Sequence, residues 1–510
     1  MRRLLGFMLV VCGLALGVPA AAGTSAGGVV RTDAGWVRGT TSGEARVYEG
    51  IPYAAPPVGD LRWHSPVAPR PWSGVRDATR PGNRCPQAAG LGQPASDTED
   101  CLYLNVTAPR TAFRAPVLVW VHGGGLMSGA GSDYLASRLA TRGLVVVTVN
   151  YRLGNLGFFG FPGLADGGAF GIEDQQAALR WVQRNIRAFG GDPRNVTVAG
   201  ESGGAHSVCA QLMSPGAAGL FHRAIAQSSA CTVSAHGDVR PLLDVPLFVP
   251  YEWHVGHGQT VAAELGCTTL ECLRDKPAAD LLAAPTFPLP AWGTAVLPSD
   301  PAVALPAGDY HHVPLLTGIT RDEGTLFGPL LVPGLTPEQY PAALATQFGA
   351  HAPAIEARYP LGEYGGSAVQ AASAIMSDLD WALPQWVADR TFAEEVPVYA
   401  YEFLDRTAPP IPDFPAGVEP LAAHGSELRY LFDLRGDEVT LTPSQRRLGD
   451  RMMSYWTRFA ATGNPNGFGL PRWPRVTAGD ETPYVQGLDV RRIRAFDRVE
   501  AHQLEFWASL

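Results

Sequence analysis

The chain runs to 510 residues, 46% hydrophobic and 17% charged, with a formal net charge of −9. This is a globular composition, long enough for a sizeable core, and its acidic balance argues against a nucleic-acid partner and against a basic membrane-surface patch. Residues 1–22 form a processing segment: Arg2 and Arg3, an apolar stretch from Leu4 to Gly17, then the small-residue exit Val18-Pro19-Ala20-Ala21-Ala22. That layout is a secretory signal, too short to act as a membrane anchor. No later stretch has the length of a transmembrane helix, so the expectation is a secreted or periplasmic protein with no stable membrane span.

The elements that follow alternate. Val117 to Val121 and Leu144 to Val149 are continuous apolar runs, which predict strands buried on both faces, with a helix over Asp133 to Arg142 between them. A second helix is expected over Glu173 to Phe189, where Leu179, Val182 and Ile186 fall at helical spacing, and Gly190-Gly191-Asp192-Pro193 stops it. The strand Val196 to Ala199 comes next, then a helix from Ala205 to Met213, then strands at Ala224 to Gln227 and Val313 to Gly318. Such alternation predicts an α/β fold, a mostly parallel central sheet flanked by helices. Two stretches break the pattern, around residues 232–305 and 330–395, with helical pieces at Val261 to Leu265, Ala278 to Leu282, Pro337 to Phe348 and Pro384 to Ala393. They read as large cap insertions above the sheet's C-terminal edge, so that residues 23–510 form a single domain with a roofed site.

Between the strand at Val196 and the helix at Ala205 lies Gly200-Glu201-Ser202-Gly203-Gly204, a G-x-S-x-G pattern. A strand–turn–helix of this kind bends sharply at the serine and lifts its Oγ clear of the sheet, and glycines two residues to either side leave room for the backbone. A serine nucleophile also needs a base, a group to orient that base, and donors for an oxyanion. The donors are the clearest: His122-Gly123-Gly124-Gly125 directly follows the strand at Val117, so Gly124 and Gly125 can aim N–H groups at a carbonyl oxygen, and the N–H of Gly203 completes the set. In this fold, the acid and then the histidine follow the serine. Asp322 and Glu323 both stand at the end of the strand at Val313, and spacing does not choose between them. Of the histidines beyond residue 300, His311 and His312 precede their strand, at the wrong end of the sheet; His424, in a loop with Gly425, is the better placed.

Removing the signal leaves Cys85, Cys101, Cys209, Cys231, Cys267 and Cys272. An even count in an exported chain points to disulfides, and neighbours in sequence (85 with 101, 209 with 231, 267 with 272) are the simplest of the 15 pairings. Cys209 as a buried free thiol is the alternative. No C-x-x-C or H-x-x-x-H spacing points to zinc.

Taken together, several ordered motifs resemble the type B carboxylesterases, a family that includes cholinesterases and bacterial para-nitrobenzyl esterases. They are Gly50-Ile51-Pro52-Tyr53-Ala54, the run Glu99 to Val106, His122 to Gly125, Asn150-Tyr151-Arg152, Asp174-Gln175, Phe189 to Pro193, Gly200 to Gly204, Asp322-Glu323-Gly324, His424-Gly425, and Phe459-Ala460 with Gly463 to Asn466. The resemblance extends from about Gly35 to the C-terminus. It implies an α/β-hydrolase fold, a Ser202, Glu323, His424 triad with Asp322 only the acid's neighbour, Glu201 lining the site beside the nucleophile, and Ser228 as a partner of the acid. It supports Cys85–Cys101 and Cys267–Cys272 as disulfides. It implies a small-molecule ester as substrate and no metal or organic cofactor. Two departures stand out. Residues 86–100 hold no aromatic, which argues against a choline ester bound by cation–π contact. Gly203 stands where alanine is usual, which predicts an intact oxyanion hole on a slightly looser backbone. A lipase acting on longer-chain acylglycerols, with the apolar run 241–256 in its lid, and a non-catalytic binding module on the same fold are the rival readings.

Overall fold

A computed structural model describes residues 25–510 except 91, 165–166, 232–241, 243–245 and 412–413; the segment read as a signal lies outside the described residues, as does part of the first insertion. The chain opens with β1 (Ser25–Arg31), β2 (Trp36–Ser42), β3 (Ala45–Pro52) and the short β4 (Val75–Asp77). Next come β5 (Tyr103–Pro109), β6 (Ala115–Val121), β7 (Val145–Val149), β8 (Gly191–Glu201) and β9 (Arg223–Gln227). The last are β10 (Leu315–Thr320), β11 (Val398–Phe403), β12 (Val485–Leu488) and β13 (Arg494–Phe496). All belong to one 13-stranded sheet, ordered β1-β2-β3-β5-β7-β6-β8-β9-β10-β11-β12-β13, with β4 beside β2. Neighbours from β7 to β12 run parallel, and the remaining pairings, apart from that of β4, are antiparallel. The sheet is mostly parallel, as the alternation predicts.

Helices on both faces explain why the central strands are apolar throughout. From β6, Val117, Val119 and Val121 enter one core with Leu179 and Val182 of α1 (Phe170–Asn185) and Val208 of α2 (Gly203–Met213). Leu118 and Trp120 point the other way, into a second core. Helices α3 (Tyr251–Glu264), α4 (Gly324–Leu331), α5 (Leu383–Ala393) and α6 (Pro443–Thr462) follow. From α6, Met452, Trp456 and Phe459 complete the second core.

The expected helix over Asp133 to Arg142 shrinks to one turn, Ser137–Ala140. Tyr134 and Leu135 instead pair antiparallel with Leu434 and Asp433, and the Tyr134 ring packs 5.4 Å from those of Trp120 and Phe432. Long-range packing has overridden helical propensity there. The strand expected at Val313 is shifted to Leu315–Thr320, because its ladder with β11 continues to Thr320 opposite Phe403. All three neighbouring cysteine pairs are bonded, and Cys209–Cys231 ties α2 to the segment after β9. Among the described residues, no helix is long and apolar enough to cross a membrane.

Candidate active site

Strand β8 ends at Glu201 and helix α2 begins at Gly203, which leaves Ser202 alone at the bend with φ 55° and ψ −125°. An L-residue enters this region only when its surroundings enforce it. Here Ser202 N donates to the Gln227 carbonyl at the end of β9 (2.9 Å), and the Ser202 carbonyl accepts from His206 N (2.9 Å). The flanking glycines are demanded by close approach: a Cβ on Gly200 would lie 2.4 Å from the Gly204 carbonyl carbon, and one on Gly204 would lie 2.1 Å from the Val121 oxygen.

The loop after β6 arches over this bend. Gly124 and Gly125 both have positive φ, 101° and 61°, and the Gly124 carbonyl accepts from Met127 N and Ser128 N, both at 3.0 Å. His122 anchors the loop from below. Its ring stacks on Tyr151 at 4.4 Å, its Nδ1–H donates to the Gly123 carbonyl (2.8 Å), and Tyr151 Oη donates to the His122 carbonyl (2.8 Å). Burial lowers the His122 pKa to about 4 against that hydrogen bond, so the ring is neutral. Gly203 packs directly on the loop: a Cβ there would sit 2.9 Å from Leu126 N and 3.1 Å from Gly125 N. The backbone at Gly203 is therefore crowded rather than loose, and the amides of Gly125 and Leu126 lie against it.

The two adjacent carboxylates after β10 have different partners. Glu323 is fully buried; its Oε2 accepts from His424 Nδ1–H at 2.5 Å and its Oε1 from Thr320 N at 2.8 Å. Asp322 faces elsewhere, taking both arms of Arg406 (2.7 and 2.9 Å) and Ala422 N (3.1 Å). It thereby pins the segment that carries His424. Phe327 and Trp381 pack their rings 5.0 and 6.1 Å from the imidazole. His424 Nε2 is buried without a hydrogen-bond partner, 3.3 Å from Glu201 Oε1.

A third carboxylate, which sequence reasoning missed, joins this group. Glu427 is fully buried, its Oε1 accepts from Gln227 Nε2 (3.0 Å), and Gln227 Oε1 accepts from Trp456 Nε1 (2.9 Å). Burial raises Glu427 to about 8, helped by the charges of Glu201 and Glu323. Burial also raises Glu201 to about 7, with His424 opposing and Glu323 assisting. For His424 burial alone would depress the imidazole, but Glu323, then Glu201 and Glu427, outweigh it and hold the pKa at about 9.

Ser202, Gly203, Gly125 and His424 line one cavity of about 280 Å³. Leu247 and Leu289, from residues 232–305, and Trp381 and Pro384, from residues 330–395, contribute to its walls. Ser228 also lines it, with φ +57° and its N donating to the Gly318 carbonyl (2.7 Å); its Oγ has no hydrogen-bond partner among the described residues and does not reach Glu323. A larger cavity of about 630 Å³ is lined by Asp322, Arg406 and His502 but by neither Ser202 nor His424.

A model of the carboxylesterase family matches residues 26–507. Among curated proteins, the chain is 36% identical to the medium-chain fatty acyl-CoA hydrolase precursor of Anas platyrhynchos, over 91% of this chain and 88% of that protein. It is 34% identical to the cocaine esterase of Oryctolagus cuniculus, covering 94% of each chain. Identity is again 34% to the fumonisin B1 esterase of Sphingopyxis macrogoltabida, over 94% of this chain and 92% of that protein.

Proposed function

The chain belongs to the carboxylesterase family and is a carboxylic ester hydrolase; from that premise we propose that Ser202, His424 and Glu323 perform the reaction through an acyl-enzyme. His424 takes the Ser202 proton on Nε2 while its Nδ1–H stays on Glu323. Ser202 Oγ attacks the ester carbonyl carbon, and the new oxyanion accepts from the N–H groups of Gly124, Gly125 and Gly203. Collapse breaks the bond to the alcohol, which departs with the proton from His424. Water then enters, gives its proton to the same nitrogen, and releases the acid. The observation that carries this reading is the cavity shared by Ser202 and His424, whose far nitrogen is bonded to a buried Glu323. The Nε2 buried without a partner is free to accept that proton once the ring is neutral.

The cavity volume favours small esters over long acyl chains, which weighs against the lipase reading. An intact serine, histidine and acid weigh against a non-catalytic binding module. Three disulfides favour an oxidising compartment, in keeping with the secretory layout of residues 1–22. We read residues 23–510 as one domain, its two insertions walling the site. The test is pre-steady-state hydrolysis of para-nitrophenyl acetate by the wild type and Ser202→Ala. A burst in the wild type and a loss of about 10⁶ in kcat in the variant are expected; undiminished turnover in the variant would overturn the assignment.

A further inference from the structure

Leu247, Leu289, Phe327 and Trp381 make much of the cavity lining apolar, but part of it is polar. His206, Ser228 and Ser229 line it there, each at least nine-tenths buried. Three of their polar atoms (His206 Nε2, Ser228 Oγ and Ser229 Oγ) have no hydrogen-bond partner among the described residues. Buried polar atoms are ordinarily satisfied, and three together in one cavity call for a donor or acceptor brought in from outside. All three residues stand close to the nucleophile. His206 N bonds the Ser202 carbonyl, and Ser228 and Ser229 follow Gln227, whose carbonyl accepts from Ser202 N.

Resting on the esterase reading above, we propose that this polar part of the lining recognises a hydroxyl group on the substrate, a few atoms from the scissile carbonyl, with His206 Nε2 accepting its hydrogen bond. The imidazole suits that role. It hydrogen-bonds the backbone of Leu247, and burial lowers its pKa to about 4, so at neutral pH it carries one proton and one free lone pair. A site built to bond a substrate hydroxyl discriminates strongly against the analogue that lacks it, because its own polar groups are then left unpaired. A site lined only by hydrocarbon does not. The preferred substrates are therefore short hydroxylated esters rather than simple alkyl esters of the same shape.

Two isosteric pairs test the idea and locate the hydroxyl. Methyl butanoate against methyl 3-hydroxypropanoate places it on the acyl side; propyl acetate against 2-hydroxyethyl acetate places it on the alcohol side. The readout is the kcat/KM ratio within each pair, corrected for the rate of alkaline hydrolysis. The wild type should favour the hydroxylated member of one pair by about tenfold or more, and that ratio should fall towards unity in His206→Leu and at least partly in Ser229→Ala. Wild-type ratios near unity in both pairs would overturn the proposal without recourse to any variant. A preference that persists undiminished in both variants would overturn it too. Absence of turnover on all four esters would overturn the esterase reading itself.

Discussion

Three buried carboxylates, Glu201, Glu323 and Glu427, surround one imidazole, and they do different things to it. Glu323 makes the hydrogen bond that fixes which nitrogen of His424 is left free. Glu201 stands 3.3 Å from the other nitrogen, where it stabilises the protonated ring without orienting it. Burial works against the cation, and the three charges prevail, holding the pKa at about 9. In the proposed mechanism only the neutral ring accepts the Ser202 proton, so activity should climb with pH through a limb displaced above the ordinary imidazole range. Removing one of the raising charges lowers the pKa that sets the limb. Glu201→Gln should therefore shift the ascending limb of kcat/KM against pH to lower values. A limb that stays in place, or moves upwards, would show that Glu201 does not act on His424 through its charge.

At the scale of elements, the loop after β6, which the proposed mechanism makes the oxyanion hole, and the start of α2 are packed backbone against backbone. A methyl group on Gly203 meets Leu126 N and Gly125 N, neither of which is the flexible end of a side chain. Gly203→Ala should push that loop outwards and lower kcat by about 10–10² relative to para-nitrophenyl acetate turnover in the wild type, short of the 10²–10³ lost with a whole oxyanion donor. An unchanged kcat would mean the loop yields freely. Such contacts mark the limit of what was legible beforehand. The strands β6 and β7 announced themselves through apolar runs, since burial on both faces leaves little polar alternation to confuse the reading. The glycine loop and the serine bend were legible because their backbone geometry restricts the residue types. Tyr134 and Leu135 were not, because the strand they pair with lies about 300 residues away. Asp322 and Glu323 could not be ranked from the residues alone, since adjacent side chains on one turn diverge and only the fold decides which one meets His424; the family resemblance selected Glu323. Glu427 and Gln227 escaped notice for the same reason: their role is created by meeting each other and Trp456.

Across the whole molecule, buried titratable groups are displaced in both directions, and their signs set how stability follows pH. His122, His206 and His254 are lowered by burial from 6.5 to about 4. The unfolded chain takes up protons on these rings that the native chain refuses, so they cost stability as pH falls from 6.5 towards 4. His424 and His502 are raised from 6.5 to about 9, burial opposing and their carboxylate neighbours prevailing; for His502 these are Glu402 and Asp378. Their stabilisation is complete below 6.5 and lost as pH rises to 9. Glu201 and Glu427, raised by burial from 4.5 to about 7 and 8, have the same sign: the native chain keeps protons that the unfolded chain has released, and this contribution drains away as pH climbs from 4.5 through 8. Between 4.5 and 6.5 the two carboxylates partly cancel the three neutral histidines, whereas above 6.5 the two carboxylates and the two raised histidines all act in one direction. The urea midpoint of the disulfide-intact protein should accordingly vary little between pH 5 and 6.5 and fall steeply between pH 7 and 9. His502→Gln should lower the midpoint at neutral pH yet flatten the alkaline fall, because the proton lost there is no longer present to lose. A midpoint that holds level or rises from pH 7 to 9 in the wild type would show that these buried groups do not govern the alkaline limb.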